Sequence, residues 1–310
     1  MAAQEHHQQQ PPALRRRRFC YSNVGVRVWW FDQQLLAALR GAGGGGRGSS
    51  DAAAPAPRQV VVFGAGFDTR PWRLDLPDGV SWFEIDLPEI IDAKRHRLTD
   101  LHASLGPKRP AGGGGNPDGG AVAAHSRHPL RAASWAALSA DLQRPGWAAA
   151  LVDAGLDPSR PTVWVAEGLL MYLTHQQSAA LLHEAAGEWA VSPPGSRLVM
   201  HNSTQELLDL RDSHGAGFQY GPFPHDLVAT WKSGFPTGDA AAALASLLAA
   251  TGWAQMGACR GRAGIAAEAC AAGFGGGEGW GAEAVAERVD FEAQPDVGQD
   301  RWAVFFTAGK

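Results

Sequence analysis

The feature that most constrains the fold is a short, continuously apolar run that ends directly at two glycines. The run Gln59–Phe63 reads QVVVF, and Gly64 and Gly66 follow it. An uninterrupted apolar run of this length, rather than an alternating one, is typical of a strand buried on both faces of a parallel sheet. The segment therefore predicts a central strand that needs covering elements on both sides.

Strand-like and helix-like segments alternate along the rest of the chain. Further strands are predicted at Val80–Ile85, Pro161–Ala166, Ser196–Met200 and Arg301–Thr307. Strands that alternate with helices predict an α/β fold whose sheet is mostly parallel and carries helices on both faces. Ligands of such sheets bind at the carboxyl ends of the strands, so candidate functional residues are sought there.

Two helices are predicted between these strands. The first begins with Pro88 and Glu89, a pair favoured in a first helical turn, and ends near Gly106. Its apolar residues on or near one face are Ile90, Ile91, Leu98, Leu101 and Leu105. The second begins at a capping box formed by Thr174 and Gln177. It runs through Leu181, Leu182, Ala185 and Trp189.

Composition excludes several classes of protein. The formal net charge is −4, from 27 Lys+Arg and 31 Asp+Glu, which leaves no basic surface for nucleic acid. The longest run of small apolar residues, Ala240–Ala250, is about half of the ~20 residues that a membrane-spanning helix needs. Three widely spaced cysteines and the histidine spacings predict neither a disulfide framework nor a metal site. We therefore expect a cytoplasmic monomer without nucleic-acid or membrane partners.

The domain organisation is predicted from low-complexity segments. Residues 1–18, with a Gln run and four arginines, predict a disordered tail. Import into an organelle remains an alternative because transit peptides are also rich in arginine. Residues 19–310 are expected to form one domain, with Gly-rich insertions near 41–57, 110–120 and 273–281. An aromatic-rich segment near 203–238 is expected to supply a lid or acceptor pocket.

Glycines and an acid follow the first two strands. Gly64 and Gly66 form a G-x-G turn that lets a ligand approach the backbone closely. Asp86 follows the second strand about twenty residues later, where α/β nucleotide sites place an acid on the ribose hydroxyls. A helix cap is the alternative role of Asp86. Thr69 stands where a dinucleotide site has a third glycine, so the sequence favours S-adenosylmethionine over a nicotinamide cofactor.

Four strings, in this order, are similar to the motifs of one enzyme family. They are VVVFGAGFDTRPWRL, FEIDLPEIIDAKRHRL, ADL and RPTVWVAEGLLMYL, beginning at Val60, Phe83, Ala140 and Arg160. They resemble the leucine carboxyl methyltransferase-like family of S-adenosylmethionine-dependent methyltransferases, most of all its branch of O-methyltransferases. The resemblance implies a Rossmann-like class I methyltransferase sheet with an antiparallel carboxyl-terminal strand. It also implies O-methylation of a carboxylate or hydroxyl, on a small molecule or a protein carboxyl terminus.

The resemblance also implies which residues hold the cofactor. Those that match the family's motifs are Arg27, Gly64, Gly66, Asp86, Asp141, Leu142 and Glu167. The glycines would lie under the methionine part, Asp86 would bind the ribose, and Asp141 with Leu142 would flank the adenine. Glu167 would complete the pocket, and Arg27 would pair with the cofactor's carboxylate, although Arg70 or Arg73 could do the same.

Each of these residues has an alternative role. Asp141 could be a helix cap, Arg27 a surface charge, and Glu167 with Gly168 a tight turn. His201, expected just after the strand that ends at Met200, is the best candidate for a general base, with a surface-loop histidine as the alternative.

The acceptor and the reaction class stay open at this point. Tyr172 is a second candidate for a catalytic residue, with a buried structural tyrosine as the alternative. A carboxylate acceptor is already ionised at neutral pH and needs no base, whereas a phenol usually does. The other interpretations are a non-catalytic S-adenosylmethionine-binding relative and an NAD(P)-dependent oxidoreductase.

Overall fold

The protein forms a seven-stranded sheet, counted over the residues that the structure describes. This computed structural model describes residues 12–41, 55–105, 126–188, 192–215, 218, 225–236, 240–274 and 303–310. The strands are β1 (Gln59–Phe63), β2 (Ser81–Asp86), β3 (Ser134–Ser139), β4 (Thr162–Ala166), β5 (Arg197–Ser203), β6 (Ala254–Arg260) and β7 (Ala303–Gly309). Five of them lie within two or three residues of the predicted segments, whereas β3 and β6 were not predicted.

The strand order is β3-β2-β1-β4-β5-β7-β6. Strand β7 pairs antiparallel with both β5 and β6, and the pairs among β1 to β5 are parallel. This confirms the predicted class, a mostly parallel sheet with an antiparallel carboxyl-terminal strand. Chain order reverses between β1 and β4, which places a cleft at the carboxyl ends of these strands.

Helices cover both faces of the sheet. They are α1 (Pro12–Leu39), α2 (Arg70–Arg73), α3 (Pro88–Asp100), α4 (Trp147–Asp153), α5 (His175–His183), α6 (Gln205–His214), α7 (His225–Ala229), α8 (Ala240–Ala250) and α9 (Arg262–Ala271). Alternate residues of β1 belong to different cores. Val61 and Phe63 pack with residues of α4, α5 and α8. Val60 and Val62 pack with residues of α1 and α9.

The helix after β2 is shorter than predicted. It ends at Asp100, and the predicted face residues Leu101 and Leu105 are exposed. His102 has a φ of 52°, a left-handed conformation that cannot continue a right-handed helix. The cap at Thr174 is confirmed, with the Gln177 N–H donating to Thr174 Oγ1 at 3.2 Å. Helix α5 passes into a π turn, Glu184–Glu188, where Gly187 has a φ of 150°; Trp189 lies outside the described residues.

Parts of the predicted domain organisation can be located. Helix α1 begins at Pro12, so residues 12–18 of the predicted tail are helical; proline is favoured in a first turn. Residues 1–11, most of the Gly-rich insertions and parts of the 203–238 segment lie outside the described residues. Over the described ranges, no helix is long and apolar enough to cross a membrane.

Candidate functional site

The glycine turn after β1 is held against the end of β2. The Gly64 N–H donates to the Ile85 carbonyl at 2.8 Å, and the Gly66 N–H donates to Asp86 Oδ2 at 2.7 Å. Both glycines have positive φ, 60° and 49°. A Cβ on Gly64 would meet Leu169 Cδ1 at 3.0 Å, whereas a Cβ on Gly66 would meet nothing within 4 Å. The turn therefore leaves open space beside Gly66 at the carboxyl edge of the sheet.

Asp86 is fixed by two backbone N–H groups. Its Oδ1 accepts from Leu87 N at 2.8 Å, and its Oδ2 accepts from Gly66 N. Each carboxylate oxygen has a second lone pair that can accept from a hydroxyl. The alternative role as the cap of α3 is wrong, because the N-cap is Leu87 and no side chain caps that helix.

The segment after β3 comes next to Asp86. The Ala140 N–H donates to the Asp86 carbonyl at 2.9 Å, which brings Asp141 to the same edge of the sheet. Asp141 Oδ1 accepts from Gln143 N at 3.0 Å, so the side chain closes a turn. The helix-cap alternative is wrong for Asp141 too, because Gly146 is the N-cap of α4. Leu142 is buried in the core.

A cluster of arginines and carboxylates lies beside the glycine turn. We call it the arginine cluster; its members are Arg27, Asp32, Asp68, Arg70, Arg73 and Glu167. Glu167, just after β4, joins two of the arginines. Its Oε1 accepts from Arg27 Nε at 2.8 Å, and its Oε2 accepts from Arg70 Nη2 at 2.6 Å. The surface-charge alternative for Arg27 is therefore wrong.

Arg70 is the buried centre of this cluster. Its Nε donates to Asp32 Oδ1 at 2.6 Å and its Nη1 to Asp68 Oδ2 at 2.9 Å. Arg73 donates to both oxygens of Asp32, at 2.5 and 2.8 Å. Burial alone would lower the pKa of Arg70, but the three carboxylates outweigh it and raise the pKa above its ordinary value. Arg70 therefore stays charged at any physiological pH.

Arg27 is the arginine best placed to meet a ligand. Its side chain is 29% exposed, against 5% for Arg70; Arg73 is 38% exposed, but both of its Nη groups are bound to Asp32. Among the described residues, its Nη1 and Nη2 groups have no hydrogen-bond partner, whereas Arg70 and Arg73 are already paired with carboxylates. Of the three arginines named from the sequence, Arg27 is the one whose two Nη groups are both unpaired among the described residues.

His201 lies inside β5 and is buried, so the expected position after the strand and the surface-loop alternative are both wrong. The strand continues to Ser203 because β7 pairs with it along this stretch, with Phe305 opposite His201. The ring stacks on Phe305 with centroids 5.1 Å apart. Its Nδ1 accepts from Gly168 N at 3.1 Å. Burial lowers the pKa of His201 well below its ordinary value, and the charges of Arg27 and Arg262 lower it further.

Tyr172 is half-buried beside a small third core. It closes the short 3₁₀ turn Leu170–Tyr172, and its ring meets Trp231 edge-on with centroids 6.4 Å apart. This core joins residues of the turn to the segment predicted as a lid; its buried members are Met171, Leu207, Leu208, Phe218, Val228 and Trp231. Residues of the described part of the 203–238 segment thus pack on the turn that carries Tyr172.

The sequence did not indicate the roles of Asp32 and Asp68. Asp32 lies on α1, far from its partner Arg70 along the chain. A local signal exists only for Asp68, which precedes Arg70 by two residues and accepts from its backbone N–H at 2.8 Å. In the described part of the chain, no three His, Cys, Asp or Glu residues are grouped as a metal site would require.

Comparison with protein families gives one match that covers more than half of the chain. The model of the family described as leucine carboxyl methyltransferase matches residues 1–186. A Mycolicibacterium smegmatis protein named "Putative S-adenosyl-L-methionine-dependent methyltransferase" is 33% identical over 198 residues, 64% of this chain and 50% of its own length. A Mycolicibacterium gilvum protein of the same name is 40% identical over 154 residues, 50% of this chain and 41% of its own length. The chain thus matches half or less of the length of these relatives.

A solved structure shares the fold. A DUF574 family protein from Streptomyces avermitilis superposes with a TM-score of 0.50 and 12% sequence identity, covering 92% of this chain and 82% of its own. At this identity the likeness shows the fold alone.

Proposed function

Because the chain belongs to the leucine carboxyl methyltransferase family, we propose that it binds S-adenosylmethionine and methylates an oxygen atom. The acceptor would be a carboxylate or hydroxyl on a small molecule or at a protein carboxyl terminus. The observation that carries the proposal is the open space beside Gly66, next to an Asp86 carboxylate that the backbone holds in place.

The residues around this space fit the parts of the proposed cofactor. Asp86 would accept from the ribose hydroxyls, and Asp141 with Leu142 would border the adenine. Arg27 would pair with the carboxylate of the methionine part, since a guanidinium suits a carboxylate. Glu167 would hold Arg27 at the end of β4 through the 2.8 Å contact.

The protein's task in this reaction is to position the reactants. S-adenosylmethionine, when bound, supplies a methyl group activated by its sulfonium. The chain would align the acceptor oxygen and exclude water, with Tyr172 at the border of the adjacent apolar core. We propose that His201 positions the Glu167–Gly168 turn and is not the base, because its Nδ1 is engaged by the Gly168 N–H. A carboxylate acceptor, ionised at neutral pH, would need no base.

Calorimetric titration with S-adenosylmethionine and S-adenosylhomocysteine tests the proposal, with NAD and NADH as comparison ligands. We expect saturable binding of the two sulfur nucleosides alone. Asp86→Asn should weaken that binding by about 10-fold or more, because a buried hydroxyl pair loses a charged acceptor. Glu89→Gln, an exposed acid in the first turn of α3, is the control and should bind like wild type.

Binding of NAD in preference to the sulfur nucleosides would contradict the proposed cofactor. Unchanged affinity in folded Asp86→Asn would remove Asp86 from the site. Binding without methyl transfer to any of a panel of carboxylates and phenols would instead favour a non-catalytic binding protein.

A further inference from the structure

We infer that Arg70 is a positioning residue for the carboxylate end of the ligand, acting through Glu167 on Arg27; this rests on the proposed function. Arg70 is buried, and none of its atoms lies within 4 Å of the position that a Cβ on Gly66 would take. Its effect passes along a chain of short contacts. Arg70 Nη2 holds Glu167 Oε2 at 2.6 Å, and Glu167 Oε1 holds Arg27 Nε at 2.8 Å.

The two Glu167 oxygens bind different arginines, and this determines which donor groups of Arg27 stay free for a ligand. A carboxylate free to rotate frequently pairs with an arginine through both oxygens at once. Here Arg70 keeps one oxygen, so Glu167 reaches Arg27 through a single contact at Nε. The Nη1 and Nη2 groups of Arg27 stay available for a ligand carboxylate. Without Arg70, Glu167 would be free to engage Arg27 with both oxygens and take one of those groups.

Arg70 itself is held rigidly enough for this role. Asp32 from α1 and Asp68 from the glycine turn bind the other two nitrogens of its guanidinium, Nε and Nη1. The guanidinium carbon also lies 5.8 Å from the centroid of the Phe31 ring. Because three arginines face three carboxylates, the formal charges of the arginine cluster cancel. Loss of Arg70 would remove one positive charge from beside the proposed carboxylate site.

The test compares two ligands that differ at the carboxylate end. S-adenosylhomocysteine carries the amino-acid carboxylate, and 5′-methylthioadenosine lacks it but keeps the adenosine. We expect Arg70→Met to weaken binding of S-adenosylhomocysteine by about 10-fold to 100-fold, the range for a lost charged hydrogen bond. Binding of 5′-methylthioadenosine should change by less than about 3-fold. Arg70→Lys keeps the charge but cannot reach three carboxylates, so its loss should be intermediate.

Arg197→Met is the matched control. Arg197 begins β5 at the opposite end of the strand from His201 and is half-buried. Its removal also deletes a guanidinium, so a general effect of losing an arginine would appear here too. We expect the affinity ratio of the two ligands to stay at the wild-type value in this variant.

A double-variant cycle covers the case in which Arg70→Met does not fold. If Arg70 acts through Glu167, the Arg70→Lys/Glu167→Gln double variant should have the same affinity ratio as Glu167→Gln alone. Additive losses would overturn the inference, as would equal losses of both ligands or no loss in Arg70→Met. If wild type binds neither ligand, the proposed function fails first and this inference with it.

Discussion

Gly64 and Gly66 share a turn and a positive φ, but their surroundings differ. A side chain on Gly64 would press on Leu169, while one on Gly66 would enter open space. The first glycine is therefore required by packing within the protein. The second is required by the ligand that we propose to occupy that space.

Alanine at the two positions should separate stability from binding. Gly64→Ala should lower the free energy of unfolding by more than the ~1 kcal/mol of left-handed backbone strain, because Leu169 must also move. Gly66→Ala should lower the free energy of unfolding by about that strain alone. It should nevertheless weaken S-adenosylhomocysteine binding about 10-fold or more. Urea unfolding and calorimetry measure both quantities. Wild-type affinity in Gly66→Ala would mean that the ligand lies elsewhere.

At the residue scale, the sequence predicted contacts between residues that each directly follow a predicted strand. Gly66 and Asp86 each follow a recognisable strand, so their meeting at the sheet edge could be anticipated. The arginine cluster could not, because Asp32, Arg70 and Glu167 come from distant segments and meet only once α1 has packed on the sheet. No periodicity or spacing encodes such a contact.

Among the strands, β5 is the one whose difference from the predicted structure matters most for function. The strand is predicted to end at Met200 because polar residues follow it, and buried polar groups are costly without hydrogen bonds. The strand nevertheless continues through His201, Asn202 and Ser203, all buried, because β7 supplies ladder partners. The edge strand β3 was missed for a related reason. Its sequence, SWAALS, is only half-buried, and two of its four apolar residues are alanines, which are depleted in strands.

The buried His201 should make stability depend on pH. Its pKa is lowered in the folded state, so below about pH 6.5 the unfolded chain binds a proton that the native protein does not. The free energy of unfolding should therefore rise with pH up to about 6.5, and this contribution should level off above it. In His201→Asn, the slope between about pH 5 and 6.5 should be smaller by up to ~1.4 kcal/mol per pH unit. Urea unfolding at a series of pH values measures the slope.

His96→Asn is the control for this effect. The His96 side chain is 83% exposed and lies 3.9 Å from Asp100, so its removal should leave the slope close to wild type. Equal slopes in wild type and His201→Asn would show that His201 titrates alike in the folded and unfolded chains.

On the scale of the whole molecule, the candidate site joins parts that are far apart along the chain. Helix α1 gives Arg27 and Asp32, the turn after β1 gives Gly66, the end of β2 gives Asp86, and the segment after β4 gives Glu167. A ligand in this site would touch elements from both halves of the sheet. Its binding should therefore stabilise elements that are far from the glycine turn along the chain, such as α1.

Hydrogen exchange with mass spectrometry tests this coupling. Saturating S-adenosylhomocysteine should slow exchange in peptides from α1 around Arg27 and from the turn around Gly66. At a concentration 100 times the Kd, amides that exchange through opening of the site should slow by about 100-fold. Peptides from α8, which packs on the other face of the sheet, serve as the internal control. Protection of the turn with none in α1 would exclude Arg27 from the site.

The packing of α1 also sets an order of events during synthesis. Trp30 on this helix lies against Phe305 of β7, with ring centroids 5.4 Å apart. A chain leaves the ribosome from its amino end, so the apolar face of α1 emerges long before the strand that covers it. The glycine turn and Asp86 can meet early, whereas Trp30 gains its contact with Phe305 only when β7 has been made. The nascent protein must therefore keep the apolar face of α1 from other apolar surfaces until β7 has been made.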